Sequence, residues 1–577
     1  MGAETSQRAK WRVAPRIGED EQRMLDAESL LEAQLLWNRG IRTAEEAYEF
    51  LMPATLATLG DPLTMWGVPD AVSRIRRAIS EHEPVAIYGD YDVDGVAGAA
   101  LLATALKSLG ADVFVHLPDR ARDGYGVNAD AVRQLAGAGA RVMITVDCGI
   151  SANAEVDTAS ELGMDVIVTD HHTIPAVLPT AYAVLNPHHA RCGYPFKDLA
   201  GGGVALQLAR ALFTAIRGPI DESMGEELEA LATFAALSTV ADVVPLTGEN
   251  RIIVRIGLAA ARAGRHAGLA QLCRVAGRSI ARLTAQDLAF TIIPRLNAAG
   301  RMGDARRALD LLLAEDQDAA RRLARTLDQA NLARRDRVGE IMAAVEAEAA
   351  AGRENGVIVL AGAYPVGLAG LIATRVAERY AVPCVVIEQG DEMSRGSVRG
   401  VEGIHLVEIL QECASYLIQF GGHARAAGFS INSSQIEEFR RTFEAAVGRA
   451  RSDPRPQPAV DVDGVLSLSS IGTRLADLLD RFEPAGAKNP RPLFLSQGVL
   501  VRSVNELTGG HLSMRLAQGM ATRRAIAFRP AFVRPLPSMA VDVLYEVERS
   551  TWAGEERVEM IVRDLRPSAK ARAIAPV

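Results

Sequence analysis

The chain has 577 residues, 49% of them hydrophobic and 23% charged, with a formal net charge of −8. That is the composition of a soluble globular protein. At roughly 100–200 residues per domain it holds three or four domains. Five far-apart cysteines without CxxC spacing exclude a disulfide framework, and no apolar run has membrane-spanning length.

Residues 1–65 are predicted to be a helical extension, closed near Pro53. From about 70 to 200 strands and helices alternate. "PVAIYGD", "ADVFVHLP", "RVMITVD" and "MDVIVTD" read as strands. "VAGAALLATALKSLG", "NADAVRQLAGAGA" (capped by Asn128) and "SANAEVDTASELG" read as helices. Apolar runs of this length, alternating with helices, predict a doubly wound parallel sheet over 66–302. Residues 303–351 read as a long helical connector, and 352–452 as a second α/β domain. "RSDPRPQPAV" is a Pro-rich linker, and the many short β-like runs within 453–577 predict a small β-barrel.

The stretch "AIYGDYDVDGVAG" places Asp90, Asp92 and Asp94 at every second position after a strand. Extended geometry would send all three to one side. Asp147 and Asp170 end two further strands, His171 and His172 follow Asp170, and "STVADVVPL" adds Asp242. In a parallel sheet these strand ends share the edge where open α/β sheets bind ligands. An Asp at one strand end is ordinarily a turn or cap residue. Here three strand ends, a DxDxDG run and a DHH triplet coincide, and unpaired anions this close would raise one another's pKa. Divalent cations remove that conflict. Oxygen donors in the majority suit Mn²⁺ or Mg²⁺ better than zinc. Two ions sharing a carboxylate would activate a water and offset charge on a phosphate. A negative net charge carries no nucleic acid by itself, so a binder of this composition needs a local basic groove or such ions.

"GDYDVDG", "ITVDCGIS" and "VTDHH" resemble successive motifs of the DHH phosphoesterases. The ordered set "LPDRARDGYGVN", "LNPHHARCGYPFKDLAGGGVA", "PRLNAAGRMGDARRALDLLL", "RGSVRG", "FGGHARAAGFSI" and "EPAGAKNPRPLF" resembles, more narrowly, the RecJ family of bacterial single-strand-specific exonucleases. The resemblance implies a DHH catalytic domain, a DHHA1 second domain and a C-terminal OB fold. It implies metal ligation by Asp92, Asp94, Asp147, His171 and Asp242, with Asp147 as the bridge. Asp147, Asp170 and His172 would form the catalytic group, with His172 on the scissile phosphate. Arg120 and Arg301 would hold DNA phosphates, Ser397 and Arg399 the 5′-terminal phosphate, and Gly421, Gly422 and His423 the strand path. Asn297 either caps a helix or binds DNA.

Two positions depart from the family pattern. Tyr88 stands where many DHH proteins carry a His ligand, so either Asp90 compensates or one ion is held more weakly, and Tyr364 replaces a His common before Pro365. The expected activity is 5′-to-3′ hydrolysis of single-stranded DNA with two divalent cations, releasing 5′ mononucleotides in DNA repair and recombination. A cytoplasmic monomer is expected, with a helicase and a single-strand-binding protein as partners. Two rivals are a DHH phosphodiesterase for short oligonucleotides or cyclic dinucleotides, and a catalytically silent binding protein. A dinucleotide-binding enzyme fits poorly, because no GxGxxG follows the first strand.

Overall fold

The structure is a computed structural model and describes residues 9–119, 124, 126–450, 459–552 and 555–568. Arg120, Tyr125 and most of the Pro-rich linker lie outside the described residues. The chain forms two compact units. One comprises 55–244 and 249–455, the other 1–54, 245–248 and 456–577.

β1 (Lys10–Val13) belongs to the second of these units. In the other unit, β2 (Val85–Gly89), β3 (Val113–His116), β4 (Val142–Val146), β5 (Asp165–Thr169) and β6 (Ala183–Leu185) make an all-parallel sheet in the order β3-β2-β4-β5-β6. Every residue of β2 and β4 is buried, as their unbroken apolar runs require. Strand order reverses between β2 and β4, so a crevice opens at their carboxyl ends. Asn128 caps the helix Ala129–Gly137 as expected, accepting from the Asp130 and Ala131 amides. The helix after β2 runs Val93–Ser108, starting three residues before the apolar run that predicts it.

The connector contains the 28-residue helix Gln317–Ala344. Its buried positions Ala320, Ala324 and Leu327, then Val338 and Ile341, form one apolar seam. Val338 and Ile341 join Leu368, Ile372 and Val386 in the core of the next domain. There β7 (Ile358–Gly362), β8 (Cys384–Glu388), β9 (Met393–Arg399), β10 (Leu417–His423) and β11 (Ala426–Asn432) form a mixed sheet ordered β10-β11-β9-β8-β7. Only β7 and β8 run parallel.

In the other unit, β12 (Ala459–Val462) pairs in parallel with β1. β13 (Gly464–Val465), β14 (Phe494–Leu507), β15 (His511–Gln518), β16 (Ala521–Ala527), β17 (Ala540–Trp552) and β18 (Glu555–Pro567) follow. β14 pairs with both β15 and β17, which closes β14-β15-β16-β18-β17 into a five-stranded barrel. Its core includes Phe494, Val501 and Tyr545 together with Leu25, Leu35 and Leu36 from the N-terminal helical segment. Those helices thus complete the barrel core.

Candidate metal centre

The first aspartate run does not stay extended. β2 ends at Gly89, and Asp92 becomes the N-cap of the helix Val93–Ser108. Its Oδ1 accepts from the Asp94 amide at 2.9 Å and the Gly95 amide at 3.4 Å. Capping wins because a short carboxylate satisfies amides that the first helical turn leaves unpaired. Gly95 is required by this turn: a Cβ there would lie 2.4 Å from the Asp90 backbone nitrogen. The three aspartates still converge, through a strand–turn–helix path rather than by alternation.

Asp94 is buried, and both its oxygens are held by the start of the helix Gly201–Arg217. Oδ2 accepts from the Gly201 amide at 2.9 Å and Oδ1 from the Gly202 amide at 2.9 Å. Ser238 Oγ also donates to Oδ1, at 2.6 Å. A helix N-terminus favours a carboxylate. The triple glycine at 201–203 lets this approach happen, since a Cβ on Gly201 would sit 2.7 Å from Asp147 Cβ. Sequence reasoning missed Gly201, Gly202 and Ser238; the glycine run opening a helix was the available signal.

Asp147 leaves β4 in the left-handed region, at φ 61°. Its Oδ1 lies 3.0 Å from His171 Nε2. The same nitrogen is 3.5 Å from Asp94 Oδ2 and 3.7 Å from Asp242 Oδ2. Asp170 is fully buried and accepts from the backbone amides of Ile150, His171 and His172. Its Oδ1 also meets His172 Nδ1 at 2.8 Å. Asp170 therefore orients the histidine loop.

Three groups of donor atoms result: Asp147 with His171 and His172, Asp94 with His171 and Asp242, and Asp90 with Asp92 and Asp147. Within each group the donor atoms lie within 4.8 Å of one another. Asp147 belongs to two groups, as a bridging carboxylate would. Burial, then the carboxylates of Asp94, Asp92, Asp90 and Asp170, push Asp147 well above the usual carboxylate range. Burial and then Asp94 raise Asp92 as well, and burial with Asp94 and Asp92 pushes Asp242 up to about 8. Burial lowers the His171 pKa, which favours the neutral ring that a metal ligand needs. Burial works against charge on His172, but its bond to Asp170 and the surrounding carboxylates outweigh this and raise it to about 9. These carboxylates repel one another without a cation between them, and their donor set fits Mn²⁺ or Mg²⁺.

Tyr88 is wholly buried and donates its hydroxyl to the Gly126 carbonyl at 3.2 Å, so it serves packing. Asn297 Oδ1 accepts from the Val93 amide at 3.2 Å, a helix cap. Arg301 is electrostatically coupled to Asp92, and its Nη1 donates to the Gly367 carbonyl at 3.2 Å.

The second sheet faces this rim. Ser397 pairs with Gly428, which pairs with Gly421; Arg399 pairs with Ala426, which pairs with His423. Directly opposed residues share a face, and so do residues two apart. Ser397, Arg399, Gly421 and His423 therefore project from one face, while Gly422 belongs to the other. Arg399 Nη1 donates to Ser397 Oγ at 3.1 Å, and a Cβ on Gly370 would lie 2.9 Å from Arg399 Nη2. The rings of His423 and His172 lie 6.3 Å apart and within 16° of parallel.

A carboxylate–imidazole cluster at the switch point of a doubly wound sheet, faced by a mixed second sheet, defines a DHH-type phosphoesterase. Residues 84–239 match the DHH family N-terminal domain, 354–449 the DHHA1 domain and 462–564 the RecJ OB domain. The chain belongs to the RecJ family. It is 35% identical over 583 residues to the single-stranded-DNA-specific exonuclease RecJ of Dickeya dadantii, covering 95% of this chain and 98% of that one. It is 33% identical over 542 residues to the same-named protein of Bacillus subtilis, covering 92% and 67% of the two chains. The crystal structure of Thermus thermophilus RecJ in complex with Mn²⁺ matches with TM-score 0.82 and 30% identity, over 98% of this chain and 81% of that one. The Mg²⁺ complex of that protein matches with TM-score 0.75 and 29% identity, over 97% and 79%.

Proposed function

We propose that the chain is a single-stranded-DNA-specific exonuclease that hydrolyses phosphodiester bonds from the 5′ end and releases 5′ mononucleotides. The observation that carries this reading is the pair of donor groups meeting at Asp147, faced by His423 of the second sheet. Two divalent cations held there would supply a water of lowered pKa and positive charge against the phosphate oxygens. Asp92, Asp94, Asp147, His171 and Asp242 hold them, together with Asp90 in the group that contains Asp92. Asp170 fixes His172 so that Nε2 meets the scissile phosphate. Ser397 and Arg399 take the terminal 5′ phosphate, for which the guanidinium fork is suited. Arg120 and Arg301 hold neighbouring phosphates, and Gly421, Gly422 and His423 line the strand path.

The barrel favours this reading over a dinucleotide phosphodiesterase, because a dinucleotide needs no second nucleic-acid-binding module. The intact ligand set argues against a silent binding protein. Among the described residues no helix is long and apolar enough to cross a membrane. We place the protein in the cytoplasm, acting as a monomer in repair and recombination beside a helicase and a single-strand-binding protein.

The test compares 5′-labelled single-stranded and duplex DNA with Mn²⁺, using wild type and Asp147→Ala. Labelled mononucleotide released only from the single strand, and only by wild type, is the expected result. A strand that is bound but left intact by wild type sinks the catalytic reading.

A further inference from the structure

The loop after β6 is built onto the active site but has no part in the metal groups. Asn186 Nδ2 donates to the His172 carbonyl at 2.9 Å, and Asn186 Oδ1 accepts from the His188 amide at 2.8 Å. The His189 amide donates to the Asn186 carbonyl at 3.0 Å, and the Cys192 amide to the His189 carbonyl at 2.8 Å. This closed turn holds His189 parallel to Trp66, with ring centroids 5.4 Å apart and planes 6° from parallel. The Arg191 guanidinium lies 5.2 Å from the centre of the same indole. Its backbone amide donates to His189 Nδ1 at 3.1 Å, which fixes the imidazole. The backbone next to Trp66 is packed against β6. Gly67 follows Trp66 at φ 83°, and a Cβ there would lie 2.5 Å from the Val184 carbonyl of β6.

Trp66 nevertheless remains 39% exposed. Arg191 is exposed and makes no ion pair among the described residues, in a chain with 71 acidic residues. A partly exposed aromatic stack, with a guanidinium over the indole that makes no ion pair among the described residues, matches the two halves of a nucleotide: a π surface for the base and a fork for the phosphate.

We propose that Trp66, His189 and Arg191 form a nucleotide subsite, stacking one base and pairing one phosphate of the single strand at the β6 flank of the rim. The inference rests on the exonuclease reading above. Arg301 adjoins Asp92 at the β2 flank, and through Gly367 it reaches the helix that carries Gly370 beneath Arg399. With the 5′ end on that side, the β6 flank receives a nucleotide two or more positions 3′ of the scissile bond, beyond the reach of a dinucleotide.

The test uses the full chain with Mn²⁺, a long single strand and a 5′-phosphorylated dinucleotide. In W66A the ratio of kcat/KM on the long strand to that on the dinucleotide falls about tenfold, the scale of one lost base stack. W66F restores the ratio, whereas a merely structural defect would lower both substrates alike. In EDTA, binding of a labelled long strand weakens by the same factor in W66A, and R191Q lowers the salt slope of binding by about one. An unchanged ratio with unchanged binding overturns the subsite and leaves the exonuclease reading standing. If wild type cuts no single strand, the exonuclease reading fails, and the EDTA titrations alone decide the subsite.

Discussion

His423, on the second sheet, lies with its ring 6.3 Å from that of His172 in the loop after β5, nearly parallel to it. The catalytic rim is therefore completed by a side chain from a different domain. Burial, then the charge of His172, lowers the His423 pKa and so favours its neutral ring.

His423→Ala should lower kcat/KM on single-stranded DNA by about ten- to a hundredfold, the scale of a lost positioning contact. Mn²⁺ binding, followed calorimetrically, should stay as in wild type. A variant that also loses metal would show that His423 supports the metal groups instead.

The raised carboxylates predict a pH dependence of metal loading. Asp92, Asp147 and Asp242 carry protons in the metal-free protein at pH values where ordinary aspartates are ionised, with Asp242 at about 8. Mn²⁺ binding should therefore release protons, and apparent affinity should rise from about pH 6 to about 8. A folded-state pKa above the unfolded 3.8 contributes stability that is lost as pH rises through the folded value. The EDTA-treated protein should lose thermal stability between about pH 4 and 8, and added Mn²⁺ should restore most at the upper end. Melting curves with and without Mn²⁺ check both signs.

Asp170→Asn keeps the shape of the side chain but replaces one of two acceptor oxygens with a donor. The residue holds three backbone amides and His172 Nδ1. Activity should fall about ten- to a hundredfold, as for lost outer partners of a metal site, with the fold retained by circular dichroism. Wild-type rates in the variant would remove Asp170 from the orienting role.

Gly201→Ala removes no ligand yet should damage the centre. The new methyl would lie 2.7 Å from Asp147 Cβ and 3.0 Å from Asp94 Oδ1. Overpacking of this kind costs about 1–3 kcal/mol. Weaker Mn²⁺ binding and a lower melting temperature are the expected outcome. Gly203→Ala, whose nearest neighbour would be the Leu199 side chain at 3.2 Å, is the milder control.

Much of this centre was legible in the sequence because strand ends announce themselves. Buried parallel strands are unbroken apolar runs, so Asp90, Asp147 and Asp170 stand out at their ends. The path between Asp90 and Asp94 was not legible, because periodicity alone does not reveal when a side chain will cap a helix. Nor was the shared face of Ser397, Arg399, Gly421 and His423, since register across β9, β11 and β10 is set by pairing between distant segments. The support of Asp94 by Gly201, Gly202 and Ser238 depends on a close helix approach that only the folded chain shows.

The pairing of β1 with β12 bears on the order in which the molecule can assemble. Arg12 and Asp461 meet across 449 positions of sequence. At about 5–20 residues per second of synthesis, the first segment waits on the order of 20–90 s for its partner strand. The catalytic domains emerge complete during that interval. Leu25, Leu35 and Leu36 meanwhile lack the barrel residues that bury them in the finished protein. The newborn N-terminus thus carries an unsheltered greasy surface until the last strands leave the ribosome. Trimming those first helices would strip the barrel of part of its interior and leave a sticky product.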